Sequence, residues 1–123
     1  MMSIEEVREY CLSLPYVTED MAFGEEHVLF RIFGKIFVCI SLDRSEYVTV
    51  KCEPVYALDL RDRYEEIEPA WHWNKKYWNQ ICLRGNLSGE FIRSLVRHSY
   101  SEVVKKFTKK TISQYPELLE IIE

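Results

Sequence analysis

Two strand-forming runs on either side of a glycine turn constrain the fold of this chain more than any other feature. Residues 28–33 and 36–42 are rich in β-branched and aromatic side chains and flank Gly34-Lys35. A two-residue loop with glycine first is typical of a β-hairpin with a type II′ turn, and a type I′ turn is the alternative. Alternation places Phe37 on a mixed apolar and polar face. We therefore expect helices to cover one side of the sheet and to leave the other side partly open.

Three helices are predicted from their first residues and their spacing. Ser3 begins a capping box, and the second helix begins at Glu53-Pro54, with proline in the first turn, where it is tolerated. Ser88 caps the third helix, in which apolar side chains recur every three or four residues as far as Phe107. The third helix therefore has a continuous apolar face with which to pack on the sheet.

Further strands are expected at residues 47–52, 70–73 and 78–83, with an irregular connection over residues 16–26 and a turn at residues 43–46. The order of elements is then α-β-β-β-α-β-β-α. Five mostly antiparallel strands with helices packed on one face make an α+β two-layer sandwich.

At 123 residues the chain has the length of one domain. We place that domain at residues 1–110 and treat residues 111–123 as a C-terminal tail that contains a short helix. The tail carries Tyr115, Leu118 and Ile121 among its apolar residues. If these side chains find no place on the domain, the tail becomes an element that binds a partner.

All three tryptophans lie in one short stretch, between Trp71 and Asn79, together with a histidine, two asparagines and two lysines. Aromatic rings give contact area at low entropy cost, and polar groups give it direction. The predicted binding residues are Trp71, His72, Trp73, Asn74, Lys75, Lys76, Tyr77, Asn79, Arg93 and Arg97. The alternative is that Trp78 and one other tryptophan belong to the core.

The charge is distributed unevenly along the chain. Residues 1–70 carry a net charge of −8, residues 71–110 carry +7, and residues 111–123 carry −3. A basic segment on an acidic protein can steer a polyanion to one face. The alternative is that these charges interleave in space and cancel.

The chain resembles the MmcQ/YjbR-like family from about residue 3 to residue 110. The resemblance is carried by the opening helix to Pro15, by the Gly34-Lys35 hairpin, by residues 50–54 and by residues 72–79, of which the pattern Asn-Lys-Lys-x-Trp-Asn is the most specific part. It implies a compact α+β fold of the order given above. It also implies a bacterial protein predicted to bind DNA through a double-wing motif.

The residues show no catalytic signature, because no nucleophile–base pair, carboxylate pair or phosphate loop is legible. Cys11, Cys39, Cys52 and Cys82 are widely spaced, and the three histidines have no metal-ligand spacing. We therefore expect a non-enzymatic protein without cofactor or metal. The first nine residues lack the basic start of a signal peptide, and no apolar run is long enough to span a membrane. We place the protein in the cytoplasm.

Three functions are compatible with this pattern. The first is DNA binding, with lysines and arginines on phosphates and aromatic rings on bases. The second is a protein-interaction or chaperone-like module that binds a protein partner or a second copy of the chain on an open sheet face. The third is a small-molecule site or enzyme in which His72 lines a pocket.

Overall fold

The computed structural model describes residues 2–42 and 46–121. Its elements, in chain order, are α1 (Ile4–Ser13), β1 (Val17–Asp20), β2 (His27–Ile32), β3 (Lys35–Ser41), β4 (Tyr47–Lys51), α2 (Pro54–Arg63), β5 (Ile67–Pro69), β6 (Trp78–Cys82), α3 (Gly89–Val104), α4 (Lys109–Gln114) and a 3₁₀ turn (Pro116–Leu119). The strands form one antiparallel sheet in the order β1-β2-β3-β4-β6-β5. The predicted α+β fold is confirmed, with six strands among the described residues in place of the five expected.

The central hairpin of β2 and β3 is present, but its turn lies one residue earlier than the sequence suggested. Phe33 and Gly34 form the loop, with φ angles of 48° and 84°. Positive φ at both positions is the type I′ turn. The Phe33 ring lies against Tyr16 and Tyr115, with ring centroids 5.3 and 4.9 Å apart. These ring contacts hold a non-glycine residue in a backbone conformation that it otherwise disfavours.

A β-bulge reverses the predicted face of Phe37. The register of β2 against β3 shifts between Phe30 and Arg31, which leaves Phe37 as the extra residue of β3. Its ring is buried and meets the Tyr100 ring edge-on at 5.6 Å. Phe37 therefore packs under the helices and is not part of an open sheet face.

The hydrophobic core lies between the sheet and a layer of helices on one side. Helix α3 packs across β2, β3 and β4, α1 packs on β1, and α2 packs on β5. The buried Ser99 hydroxyl joins the layers, since it accepts the Lys51 N–H at 2.8 Å and donates to the Phe37 carbonyl. The opposite face of the sheet carries no helix among the described residues.

Three boundaries differ from the predicted ones. Strand β1 was missed because it is an edge strand with Thr18 and Glu19 exposed, which gives no apolar alternation. The strand expected at residues 70–73 is wrong: β5 ends at Pro69, and His72 adopts a φ of 68° in a turn. Helix α3 ends at Val104, before Phe107. Residues 43–45 of the expected turn lie outside the described part of the chain.

The C-terminal segment folds back onto the domain through both apolar and polar contacts. Leu118 is fully buried in the same core as the helices and the sheet. The Tyr16 hydroxyl donates to the Glu117 carboxylate at 2.8 Å. The 3₁₀ turn therefore contacts the connection between α1 and β1.

Candidate functional site

The helix-free face of the sheet is formed by every second residue of the central strands. Thr49 and Lys51 of β4 pair with Gln80 and Trp78 of β6 on this face. Two cavities open along the face, and both are lined by Trp73 from the β5–β6 loop. The first lies between the β1–β2 and β5–β6 loops and is called the sheet-face pocket. The second lies towards the end of α3 and is called the basic groove.

The sheet-face pocket is a cavity of about 490 Å³, within the size range of small-molecule sites. It has an aromatic rim and a mostly polar floor. Its lining residues are Phe23, His27, Cys39, Ser41, Tyr47, Thr49, Glu68, Trp71, His72, Trp73 and Gln80.

A fixed amide lies in the floor of the sheet-face pocket. Gln80 Oε1 accepts the backbone N–H of Trp71 at 3.0 Å, and Gln80 Nε2 donates to Glu68 Oε1 at 2.5 Å. These two bonds set the orientation of the amide and tie the β5–β6 loop to the sheet. The neighbouring Thr49 hydroxyl makes no hydrogen bond to any residue that the structure describes. The floor therefore offers polar groups already held in position.

Aromatic side chains from two loops form the rim. The Phe23 ring comes from the β1–β2 loop and lies 6.0 Å from the Trp73 ring, measured between centroids. Trp71 is also on the rim, with 57% of its surface exposed. The rim leaves ring faces available to a flat ligand.

The basic groove lies on the other side of Trp73 and combines cations with rings. Its volume is about 460 Å³, and its charged lining residues, within the described chain, are all basic. They are Arg31, Lys35, Lys51 and Lys106, and the aromatic lining residues are Trp73, Trp78 and Phe107. Arg31 also forms an ion pair with Asp20 at 2.6 Å, so its charge is partly neutralised. The other three cations give the groove its positive potential.

Lys51 has the clearest electrostatic signature in the basic groove. Its partial burial, and next the positive charge of Lys106, lower the pKa of the Lys51 ammonium below its ordinary value. Glu102 opposes this effect, but it forms its own ion pair with Lys105 at 2.7 Å. Two neighbouring ammonium groups, one of them partly buried, make a site that an anion would stabilise.

Most residues of the predicted binding stretch are on or near this face. Trp71, His72 and Trp73 line the sheet-face pocket. Residues 74–77 form the exposed turn that leads into β6, in which the Asn74 side chain accepts the Lys76 N–H at 3.0 Å. The Lys76 ammonium lies 5.5 Å from the centre of the Tyr77 ring. Asn74, Lys75, Lys76 and Tyr77 therefore flank the two cavities without lining either.

The structure separates the other three predicted residues from this face. Asn79 is 1% exposed and points to the helix side, where its amide donates to the Ala57 carbonyl at 3.2 Å and accepts from Arg61 at 2.6 Å. Arg93 and Arg97 belong to α3, and Arg97 donates to the Tyr10 hydroxyl at 2.8 Å. Asn79 is held by partners on the helix side, and the two arginines lie on α3 and line neither cavity.

Sequence reasoning missed three of the four cations that line the groove. Arg31, Lys35 and Lys51 lie in the acidic part of the sequence, residues 1–70, and were not connected with the tryptophans. They meet only through the order of strands in the sheet, which places β2 and β3 beside β4. Trp78 was considered a core residue; it is half-buried and lines the basic groove.

The described residues show neither a metal-binding cluster nor a membrane-spanning helix. No group of three or more histidine, cysteine, aspartate or glutamate side chains there could hold a metal ion. None of the described helices combines the length and apolar character required to cross a membrane. None of the four cysteines, Cys11, Cys39, Cys52 and Cys82, forms a disulfide with another described residue.

Comparison with known proteins identifies a family. The family model YjbR matches residues 12–102. The uncharacterized protein YbdF of Escherichia coli O157:H7 is 32% identical over 107 residues, covering 86% of this chain and 88% of that protein. The uncharacterized protein YjbR of Escherichia coli K12 is 26% identical over 104 residues, covering 84% of this chain and 88% of that protein.

Solved structures share the fold. The crystal structure of Deinococcus radiodurans protein DR2400, of the domain family DUF419, is 27% identical with a TM-score of 0.85, covering 93% of this chain and 88% of that one. A crystal structure of a Pseudomonas syringae protein, 23% identical with a TM-score of 0.68, covers 80% of this chain and 96% of that one, and shares the fold.

Proposed function

The chain belongs to the YjbR family, and we propose that it is a non-enzymatic protein that binds DNA, as a single strand, across the helix-free face of its sheet. The observation that carries this proposal is that Trp73 and Trp78 line the same groove as Lys51 and Lys106. The relatives are described as uncharacterized proteins. The proposal therefore depends on the chemistry of the site.

Single-stranded nucleic acid requires rings for its bases and cations for its backbone. Here the two indoles and the cationic side chains line the same cavity. Exposed bases can stack on a half-buried indole, whereas the bases of a duplex are already stacked on each other. The ring content of the groove thus favours a single strand over the duplex that a double-wing motif would bind.

The cellular compartment belongs to the same proposal. We place the protein in the cytoplasm, and one observation supports this. The four cysteines form no disulfide with one another, as is usual for a reducing compartment. A cytoplasmic protein also has direct access to nucleic acid.

The test is a titration of the intrinsic tryptophan fluorescence with oligothymidylate and with a mixed-sequence duplex, from about 50 mM to about 200 mM salt. We expect saturable binding of the single strand that weakens with salt, and weaker binding of the duplex. Equal affinity for both would favour the double-wing interpretation. No binding at low salt, checked by gel shift, would exclude the proposal.

A charge-matched pair of variants tests the location. The double substitution Lys51→Gln with Lys106→Gln removes two cations from the groove, whereas Lys109→Gln with Lys110→Gln removes two exposed cations from α4. The groove variant should reduce the slope of log affinity against log salt by about 1.4, since each phosphate contact on a single strand contributes about 0.7. If the α4 variant has the same effect, the cations act only through overall charge and the groove is not the site.

A further inference from the structure

The sheet-face pocket lies beyond Trp73 and is not needed to bind a phosphate backbone. We propose that it is a separate recognition site for one nucleobase with an amine at purine C6 or pyrimidine C4, that is, adenine or cytosine, held edge-on by Gln80 and Glu68 and covered by the rings of Phe23 and Trp73. If the bound base is part of a DNA strand, this inference rests on the proposed function. If the ligand is a free nucleoside, the inference is independent of it.

The dimensions and the rim suit one planar heterocycle. A cavity of about 490 Å³ admits a nucleoside and is too small for a folded partner. Its rim carries Phe23, Trp71 and Trp73, and the Phe23 and Trp73 rings are inclined by 49°. Such rings contact the face of a flat ligand and do not require it to carry charge.

The fixed amide of Gln80 selects the hydrogen-bonding edge of the ligand. An amide carries two N–H donors and two carbonyl lone pairs. One donor of Gln80 is used by Glu68 and one lone pair by the backbone of Trp71. One donor and one acceptor of the same rigid group are left, which is the pair with which glutamine reads adenine.

The carboxylate of Glu68 adds a preference for amino groups and against phosphate. One of its oxygens accepts from Gln80, and as an acceptor-only group the carboxylate has further lone pairs. Carboxylates accept from the exocyclic amine of cytosine, and adenine carries a comparable amine. Thymine and uracil carry a carbonyl oxygen in place of this amine, and the carboxylate would repel that oxygen.

The polar floor is completed by hydroxyl groups. Thr49 is 4% exposed, and its hydroxyl has no hydrogen-bond partner among the described residues. Ser41 lines the same cavity one strand away. Hydroxyl groups can either donate or accept, so they can complete the hydrogen bonding of either base.

The test uses nucleosides and short homopolymers with the complete chain. Adenosine, cytidine and thymidine are titrated separately and followed by tryptophan fluorescence and by the NMR shift of the Gln80 side-chain amide. We expect saturable binding of adenosine or cytidine at least about tenfold tighter than that of thymidine, the discrimination typical of one good bidentate contact. No saturable binding of any nucleoside or base-specific strand, or equal binding of all three nucleosides, would overturn the inference.

Two conservative variants locate the effect. Glu68→Gln retains a hydrogen-bond acceptor for Gln80 but removes the charge, and Thr49→Val removes one hydroxyl with little change in shape. Both variants should bind adenosine or cytidine more weakly and bind oligothymidylate with unchanged affinity. Circular dichroism confirms that each variant is folded. If both variants bind the nucleosides as tightly as the unmodified chain, the pocket is not the site.

The groove variant separates this inference from the proposed function. The double substitution Lys51→Gln with Lys106→Gln should lower the affinity for oligothymidylate and leave the affinity for nucleosides unchanged. Nucleoside binding without any oligonucleotide binding would support the pocket and exclude the proposed function. A third outcome is that no free nucleoside binds, but oligoadenylate displaces oligothymidylate from the unmodified chain and not from Glu68→Gln. The base recognised by the pocket is then part of a strand.

Discussion

The indole rings of Trp73 and Trp78 lie with their centroids 4.5 Å apart and their planes inclined by 41°. Trp78 is fixed in β6, where it pairs with Lys51, whereas Trp73 extends from the β5–β6 loop. The contact therefore anchors a loop residue to the sheet and positions Trp73 between the sheet-face pocket and the basic groove. Trp73 thereby forms a wall that the two cavities share.

Removal of this wall should affect strand binding more than stability. Trp73→Ala is expected to weaken the binding free energy for oligothymidylate by about 1–3 kcal/mol, the usual contribution of one stacked base. Fluorescence anisotropy of a labelled strand measures the change. Trp71→Ala is the matched control, because Trp71 lines the sheet-face pocket but not the groove. Equal losses in the two variants would contradict a specific role for Trp73.

Lys51 should be costly to stability and useful for binding. Its pKa in the folded protein is lowered by burial and by Lys106. Because the pKa of Lys51 is lower in the folded chain than in the unfolded chain, the contribution of this group to stability is fully present above the ordinary pKa of 10.5. That contribution is lost as the pH falls through the pKa of the folded state. At neutral pH the charged Lys51 thus disfavours folding, and Lys51→Met should leave the free energy of unfolding unchanged or raise it, by no more than about 0.5 kcal/mol.

Urea unfolding at neutral pH measures that effect, and oligothymidylate titration measures the accompanying loss of affinity. Lys109→Met, on exposed α4, is the control for loss of one charge. A marked loss of stability in Lys51→Met, with affinity retained, would show that the lysine stem supports packing and that its charge has no role in binding.

The elements that could be predicted are those whose signal is local. The Ser3 capping box, proline in the first turn of α2 and the Ser88 cap are all present. Each depends on residues no more than three positions apart. The bulge at Phe37 could not be predicted, because it is defined by pairing between two strands. Alternation counts residues along one strand and does not detect an extra one.

The candidate site was predicted in part for the same reason. The clustering of tryptophans is visible in the sequence, and Trp71 and Trp73 do lie at cavities. The partners of these rings, such as Arg31 and Lys35, are about forty residues away in the sequence and meet Trp73 only in the folded sheet. Asn79 shares the tryptophan motif, but strand alternation turns its side chain to the helices, where Arg61 binds it. Successive side chains of a strand point to opposite faces of the sheet, so residues that are neighbours in a sequence motif do not all belong to one site.

Stability should fall at mildly acidic pH because of His98. Its Nε2 atom accepts the backbone N–H of Glu53, the N-cap of α2, at 3.1 Å. Burial lowers the pKa of His98, opposed by Glu102 and Glu53 and assisted by Lys105. Its contribution to stability is therefore fully present above the ordinary pKa of 6.5 and is lost as the pH falls through the folded value, since an imidazolium cannot accept a hydrogen bond.

The measurement is urea unfolding of the unmodified chain and of His98→Gln across the pH range from about 8 to about 5. Glutamine can accept the same N–H without titrating. We expect the difference in stability between the two proteins to change in favour of the variant as the pH falls. A difference that does not change with pH would mean that His98 is protonated to the same extent in the folded and unfolded chains.

The C-terminal segment should stabilise the domain through Leu118. This side chain is 0% exposed and packs in the common core, whereas the neighbouring Leu119 is 48% exposed. Leu118→Ala is expected to lower the free energy of unfolding by about 2–5 kcal/mol, as for other buried leucines, and Leu119→Ala to change it by no more than about 0.5 kcal/mol. Urea unfolding compares the two. A small effect at both positions would mean that the segment is released in solution and available to a partner. A large effect at Leu118 alone makes residues 116–119 part of the folded unit, because one methyl-rich side chain can be this costly to remove only where the surrounding core cannot collapse around the gap.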